Sequence, residues 1–158
     1  MTDRFHGKIV WITGASSGIG EALAKAFAAS GAHILLSGRR TAALEQVAAG
    51  LDTDSLVLPF ETTDYDALPA KIEAACSWKG KVDILVNNAG ISQRSLALDT
   101  HPDVHHNIIN VVLLAPIWLT QLLLPHMIAA GGGHIVGISS VAGRVGVPLS
   151  TAYCAAKH

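Results

Sequence analysis

The stretch KIVWITGASSGIGEALAKAF, Lys8–Phe27, decides the fold. Its first part, Lys8–Ile12, is of strand length and apolar without alternation, as a strand buried on both faces must be. The chain then passes into TGASSGIG, which sets Gly14, Gly18 and Gly20 between that strand and a segment of helical spacing. There Ile19, Ala22, Leu23, Ala26 and Phe27 fall at i, i+3, i+4, i+7 and i+8, and Gly31 follows as a stop. Glycines let a backbone turn sharply and approach a pyrophosphate closely. The N-terminus of the next helix offers free N–H groups and a partial positive charge. The spacing is GxxxGxG rather than GxGxxG. A ligand-free tight turn could use the same glycines, but the strand–turn–helix setting favours a phosphate cradle.

Outward from this stretch, two kinds of segment alternate. Apolar runs at His33–Leu36, Ser55–Leu58, Val82–Val86 and His134–Ile138 read as further buried strands. Helical spacing runs from about Thr41 to Ala49, Asp66 to Ser77 and Pro102 to Ala130. Thr100 is placed to cap the last of these, with Pro102 in its first turn. Buried strands alternating with helices predict an α/β domain, a parallel sheet with helices on each side. There is no internal repeat or linker, and Gly131–Gly133 reads as a helix-to-strand turn. One domain over residues 1–158 is expected.

Composition narrows the class. Half the residues are hydrophobic and 15% are charged, which excludes a disordered chain. The 11 basic and 12 acidic residues nearly cancel and form no basic run, so no nucleic-acid partner is expected. Cys76 and Cys154 form no CxxC pair or disulfide framework. The apolar run near the N-terminus is shorter than a signal-peptide core. Ile108–Leu124 is the most apolar stretch. It contains Asn110, Pro116 and Gln121 and falls short of the about 20 apolar residues of a span, so it reads as a buried helix. A soluble, cytoplasmic protein without a membrane partner is the expectation. His101 and His105 share a helical face but lack a third ligand, so no metal site is expected. Cys154 reads as a packing residue.

The chain ends STAYCAAKH, with Tyr153 and Lys157 one helical turn apart on one face. An ammonium beside a phenol favours the ionised phenol. TGASSGIG, NNAG at Asn87–Gly90, ISS at Ile138–Ser140 and YCAAK at Tyr153–Lys157 follow one another in order and spacing. Together they resemble the successive motifs of the short-chain dehydrogenase/reductase family, over essentially the whole chain.

That resemblance implies a Rossmann-type doubly wound parallel sheet, five strands in the order 3-2-1-4-5. It implies further strands beyond His158, so the domain is expected to be C-terminally incomplete. It implies cofactor contacts from Gly14, Ser16, Ser17, Gly18, Ile19 and Gly20, and a homo-oligomer (dimer or tetramer) in the full-length form. In LLSGRR, Gly38 takes the place of the acid that binds the ribose of NAD, and Arg39 follows. An arginine there can pair with a 2′-phosphate, so NADP(H) is expected over NAD(H). Glu61 aligns with a position near the adenine ring, with Thr62 and Thr63 open to cap and turn roles. Asn87, Ala89 and Gly90 are implied to line the adenosine side, although for Asn87 a purely structural role fits as well.

The catalytic set implied by the resemblance is Asn110, Ser140, Tyr153 and Lys157. Tyr153 and Lys157 would also touch the cofactor. Asn110 would distort its helix and hold a water leading to Lys157, with Asn110 rather than Asn107 in register. Ser140 lies 13 residues before Tyr153 and would hydrogen-bond the oxygen of a small carbonyl or alcohol substrate. Ser150 is placed to cap the tyrosine helix. The expected reaction is reversible hydride transfer with tyrosine acid–base catalysis. The competing reading is a dinucleotide-binding or interaction module without turnover.

Overall fold

A computed structural model describes residues 4–158. Five strands, β1 (Ile9–Thr13), β2 (His33–Ser37), β3 (Ser55–Val57), β4 (Ile84–Asn87) and β5 (His134–Gly137), form one sheet in the order β3-β2-β1-β4-β5. Every pairing is parallel. The helices are α1 (Gly18–Ala28), α2 (Thr41–Ala49), α3 (Leu68–Lys79), α4 (Pro102–Ile109), α5 (Ala115–Ala129) and α6 (Thr151–Lys157). The Rossmann-type order expected from the sequence is therefore the observed one. Because β1 is flanked by β2 on one side and β4 on the other, the chain reverses its direction of travel across the sheet at β1. In open α/β sheets, ligands bind at this switch point, outside the carboxyl ends of the strands.

Burial on both faces explains the unbroken apolar strands. Trp11, Leu35 and Leu85 point to one face, where Leu68, Ile72, Leu119 and Leu123 of α3 and α5 cover them. Val10, Ile12, Ile34 and Leu36 point to the other, against Ala24, Leu44 and Val47 of α1 and α2. Polar ties cross the sheet inside this core. Trp11 Nε1 donates to Ser37 Oγ at 2.8 Å, and Ser37 Oγ donates to the Leu58 carbonyl at 2.8 Å, linking β1, β2 and the end of β3. At the opposite end, buried Asp83 accepts from Ile9 N at 3.0 Å, Lys81 Nζ at 2.8 Å and Lys8 Nζ at 3.3 Å.

The helix expected from Ile19 is α1, on which Leu23 and Phe27 pack against the core beside buried Gly20 and Ala24, whereas Ile19 is 60% exposed. The helix presents its smallest residues to the sheet, which lets the backbones approach. Two expectations are corrected. First, α3 begins at Leu68 rather than Asp66, because a turn in which Ala67 N bonds to the Asp64 carbonyl precedes it and Pro69 sits in its first turn. Second, the cap of α4 is His101, whose ring accepts from Asp103 N at 3.3 Å. Thr100 Oγ1 instead donates to the Leu96 carbonyl at 2.7 Å.

The long apolar segment is one helical run interrupted by a π-helical segment, Asn110–Leu114, between α4 and α5. Ala115 N bonds to the Asn110 carbonyl, five residues back. Pro116 supplies a cause. It has no N–H for the Val112 carbonyl and its ring crowds that carbonyl, so a wider turn relieves both. By length and composition this run, Pro102–Ala129, is apolar enough to cross a membrane. Its buried stripe of Ile108, Val111, Val112, Ala115, Leu119, Leu123 and Met127 recurs every three to four residues, as on a helix packed on a sheet. Only that stripe is buried. Leu113, Ile117, Trp118 and Leu124 remain exposed on the other faces.

Candidate active site at the carboxyl edge of the sheet

The glycine loop leaves β1 at the switch point. Gly14 has φ 66°, and a Cβ on it would lie 2.8 Å from the Ala89 Cα. A Cβ on Gly20 would collide with the Gly14 carbonyl and lie 2.6 Å from Asn88 Nδ2. The loop is thus drawn tightly against NNAG, and glycine is required where the two meet. Thr13 and Asn88 make that junction. Thr13 Oγ1 accepts from Asn88 N and Ala89 N, each at 3.0 Å, and Asn88 Nδ2 donates to the Thr13 carbonyl at 2.9 Å and the Gly14 carbonyl at 3.2 Å.

Above this junction lies a cleft of about 460 Å³, a size suited to a cofactor. Of the residues expected to hold a dinucleotide, Gly14, Ser16, Ser17, Ile19, Arg39, Glu61, Ala89 and Gly90 line it. Gly20 sits beneath, where only a hydrogen fits, and Gly18 turns the loop at φ 59°. The backbone approach and the start of α1 fit a pyrophosphate. Asn87 is elsewhere: its Nδ2 donates to Thr120 Oγ1 on α5 at 3.1 Å, and it borders a separate small cavity beside Lys157. Asn107 borders the main cleft, while Asn110 lies in the π segment next to it.

The two arginines after β2 behave differently. Arg40 Nη2 donates to Ser17 Oγ at 2.8 Å, Ser16 Oγ at 3.0 Å and the Ser16 carbonyl at 3.4 Å. Arg39 Nη1 lies 3.4 Å from Glu61 Oε2. Gly38 leaves the end of β2 without any side chain, with Ser16 Oγ 3.8 Å from where a Cβ would stand. Arg40, Asn88 and Thr13 thus join the expected residues at the site; the second arginine of the doublet and the second asparagine of NNAG are the signals for two of them.

At the other end of the site, α6 packs on α4 and the π segment. Ala152 and Ala156 are buried with Ile108 and Val112, and Tyr153 is partly buried beside them. Lys157 Nζ donates to the Ile138 carbonyl at 2.5 Å and stands 5.9 Å from the centre of the Tyr153 ring. Burial pushes the Lys157 ammonium below its ordinary pKa. Ser140 Oγ accepts from Ala142 N at 3.2 Å. An oxygen engaged as an acceptor still has its O–H to donate. Ser150 precedes α6 but does not cap it with its side chain. Its Oγ donates to the Gln93 carbonyl at 3.4 Å, and Cys154 N bonds to its backbone carbonyl. Next to it, Leu149 holds φ 65° and its carbonyl accepts from Ser95 N at 3.1 Å, fixing the entry to α6. No group of three or more potential metal ligands occurs among the described residues.

Comparison with known proteins gives three findings. A family model described as short chain dehydrogenase matches residues 8–158. Dehydrogenase/reductase SDR family member 7 of Homo sapiens is 45% identical over 157 residues, covering 95% of this chain and 46% of that protein. A Dehydrogenase/reductase SDR family protein 7-like of Anopheles gambiae is 41% identical, covering 97% of this chain and 51% of its own length. The chain thus spans about half the length of these relatives. Among solved structures, a putative short-chain alcohol dehydrogenase from Sinorhizobium meliloti superposes with a TM-score of 0.93 at 30% identity, over 99% of this chain and 64% of that one. A metagenomic short-chain oxidoreductase in complex with NADP gives 0.87 at 35% identity, over 97% and 71%.

Proposed function

From the premise that the chain belongs to the short-chain dehydrogenase/reductase family, we propose that it performs NADP(H)-dependent oxidoreduction of a small alcohol/carbonyl substrate. The observation that carries the proposal is the Tyr153–Lys157 pair, one turn apart on α6, with Lys157 tied to Ile138 two residues before Ser140.

The residues have separable tasks. Gly14, Ser16, Ser17, Gly18, Ile19 and Gly20 hold the pyrophosphate, and Ala89 and Gly90 line the path of the cofactor. Arg39 and Arg40 receive a 2′-phosphate, helped by the lack of an acid at Gly38. When bound, the nicotinamide supplies or accepts the hydride. Tyr153 donates its phenolic proton to the substrate oxygen in reduction and takes one back in oxidation. Lys157 compensates the charge left on the phenolate. Ser140 donates its free O–H to the same substrate oxygen and steadies the charge that develops there. Asn110, in the π segment, organises a water relay to Lys157. Reading the exposed Ile117 and Trp118 of α5 as an association surface, we extend the proposal to a homo-oligomer in the cytoplasm, without a nucleic-acid or membrane partner.

The resolved relative bound to NADP supports the cofactor choice by analogy. The test is NADPH oxidation by this chain against a panel of aldehydes and ketones, with NADH in parallel. Turnover with NADPH supports the reading. Tight NADPH binding with no turnover across the panel would favour the competing one, a dinucleotide-binding or interaction module.

A further inference from the structure

Building on the NADP(H) reading, we propose that Glu61 is a specificity-determining residue, which engages Arg39 and so weakens selection of the 2′-phosphorylated cofactor. Among the described residues, Glu61 is the one carboxylate lining the cleft, and Arg39 and Arg40 are its basic residues. The two guanidiniums are not equivalent. Arg40 is anchored by three oxygens of Ser16 and Ser17, within the loop that would carry the phosphates. Arg39 is 70% exposed, and Glu61 is its ion-pair partner.

An acid facing the ribose ordinarily stands at the end of β2 and repels a 2′-phosphate by charge. Here Gly38 leaves that place bare, and the acid of the corner comes from the segment after β3 instead. Its orientation is set from behind: buried Thr62 donates from Oγ1 to Glu61 Oε1 at 3.5 Å, leaving Oε2 towards Arg39. A 2′-phosphate, carrying between one and two negative charges, must draw Arg39 away from Glu61 before that guanidinium can pair with it, and the loss of the pair is what opposes binding. A non-phosphorylated ribose meets no such opposition. Arg40 forms the fixed half of the phosphate seat, and Arg39 the half that Glu61 withholds.

The pair is long and largely exposed, so its effect is modest and its removal should leave the fold intact. Glu61→Gln keeps the shape and removes the charge. The experiment is fluorescence titration of NADPH and of NADH into the 158-residue chain, for wild type, Glu61→Gln, Arg39→Ala and the double variant. Glu61→Gln is expected to raise the preference for NADPH over NADH about two- to fivefold, the range open to an exposed ion pair, with any change at the shared adenine cancelling in the ratio. In the Arg39→Ala background the gain should shrink clearly. An unchanged NADPH/NADH ratio in Glu61→Gln overturns the proposal, as does a gain of the same size without Arg39. Tighter binding of NADH than NADPH by wild type would contradict the NADP(H) reading alone. The response of the ratio to Glu61→Gln judges the role of Glu61 separately.

Discussion

The Lys157 ammonium donates to the Ile138 carbonyl at 2.5 Å, tying the helix that carries Tyr153 to the end of β5. This holds a charged group in a partly buried place, and burial depresses its pKa. The sign is the reverse of a stabilising lysine. The folded state carries a penalty while Lys157 is protonated, and the penalty disappears as pH rises through its depressed pKa towards the ordinary value of about 10.4. Lys157→Met should therefore abolish carbonyl turnover with little loss of thermal stability at pH 7. Any stability advantage of the variant should narrow as pH rises through the alkaline range. Parallel melts and NADPH assays at several pH values check both halves.

Gly20→Ala addresses the cradle. Its methyl group would meet the Gly14 carbonyl and Asn88 Nδ2 together, so either the loop or NNAG must move. Overpacking of this kind costs about 1–3 kcal/mol. We expect a matching loss in chemical denaturation and at least a roughly tenfold weaker NADPH affinity, because whichever segment moves lines the cleft.

Asp83 gives a prediction at the far end of the sheet. Burial alone would raise its pKa, but the Lys81 hydrogen bond, the Ile9 N–H and Lys8 outweigh it, so the carboxyl lies below its ordinary value. A depressed carboxyl contributes stability above the unfolded-state pKa of about 3.9, lost as pH falls through the lower folded-state value. Asp83→Asn should cost about 1.5–3 kcal/mol at pH 7, the range for hydrogen bonds involving a charged group. The gap between wild type and variant should narrow in urea melts as pH falls from the unfolded-state value of about 3.9 through the lower folded-state value.

Pro116 explains the π segment, and its replacement tests the link from helix shape to function. Pro116→Ala restores an N–H that can reach the Val112 carbonyl. Hydrogen exchange should then report a protected amide at residue 116. Turnover should fall several-fold as Asn110 rotates with the rewound turn, while the melting point holds or rises. Full activity with a regular helix would detach Asn110 from the mechanism.

The residues that announced the fold are those whose burial leaves no choice. β1, β2 and β4 are covered on both faces, so their unbroken apolar runs could be read directly, and Gly14 and Gly20 are fixed by backbone collision. What stayed hidden depends on side-chain rotamers and on competition between neighbours. Thr100 and Ser150 stand where a cap is expected, but their hydroxyls donate to the Leu96 and Gln93 carbonyls, while the α4 cap is His101 and Ser150 makes no side-chain cap bond. Arg39 and Arg40 are chemically identical, and only the positions of Ser16, Ser17 and Glu61 separate them. Asn87 could face either side of its strand end, and Thr120 on a distant helix decides it. On α1 the helical spacing is legible, but the choice of sheet-facing residues is not, because close packing places Gly20 and Ala24 there while the larger Ile19 stays exposed.

The central claim is that Tyr153 transfers the proton. It is tested most directly by Tyr153→Phe, which removes one oxygen from a partly buried ring and leaves the packing on Ile108 and Val112 in place. With a carbonyl substrate turned over by wild type, the variant should retain NADPH affinity within about threefold and lose activity by at least about 100-fold, the usual lower size of a general-acid contribution. Turnover within tenfold of wild type, at unchanged cofactor affinity, would contradict the account.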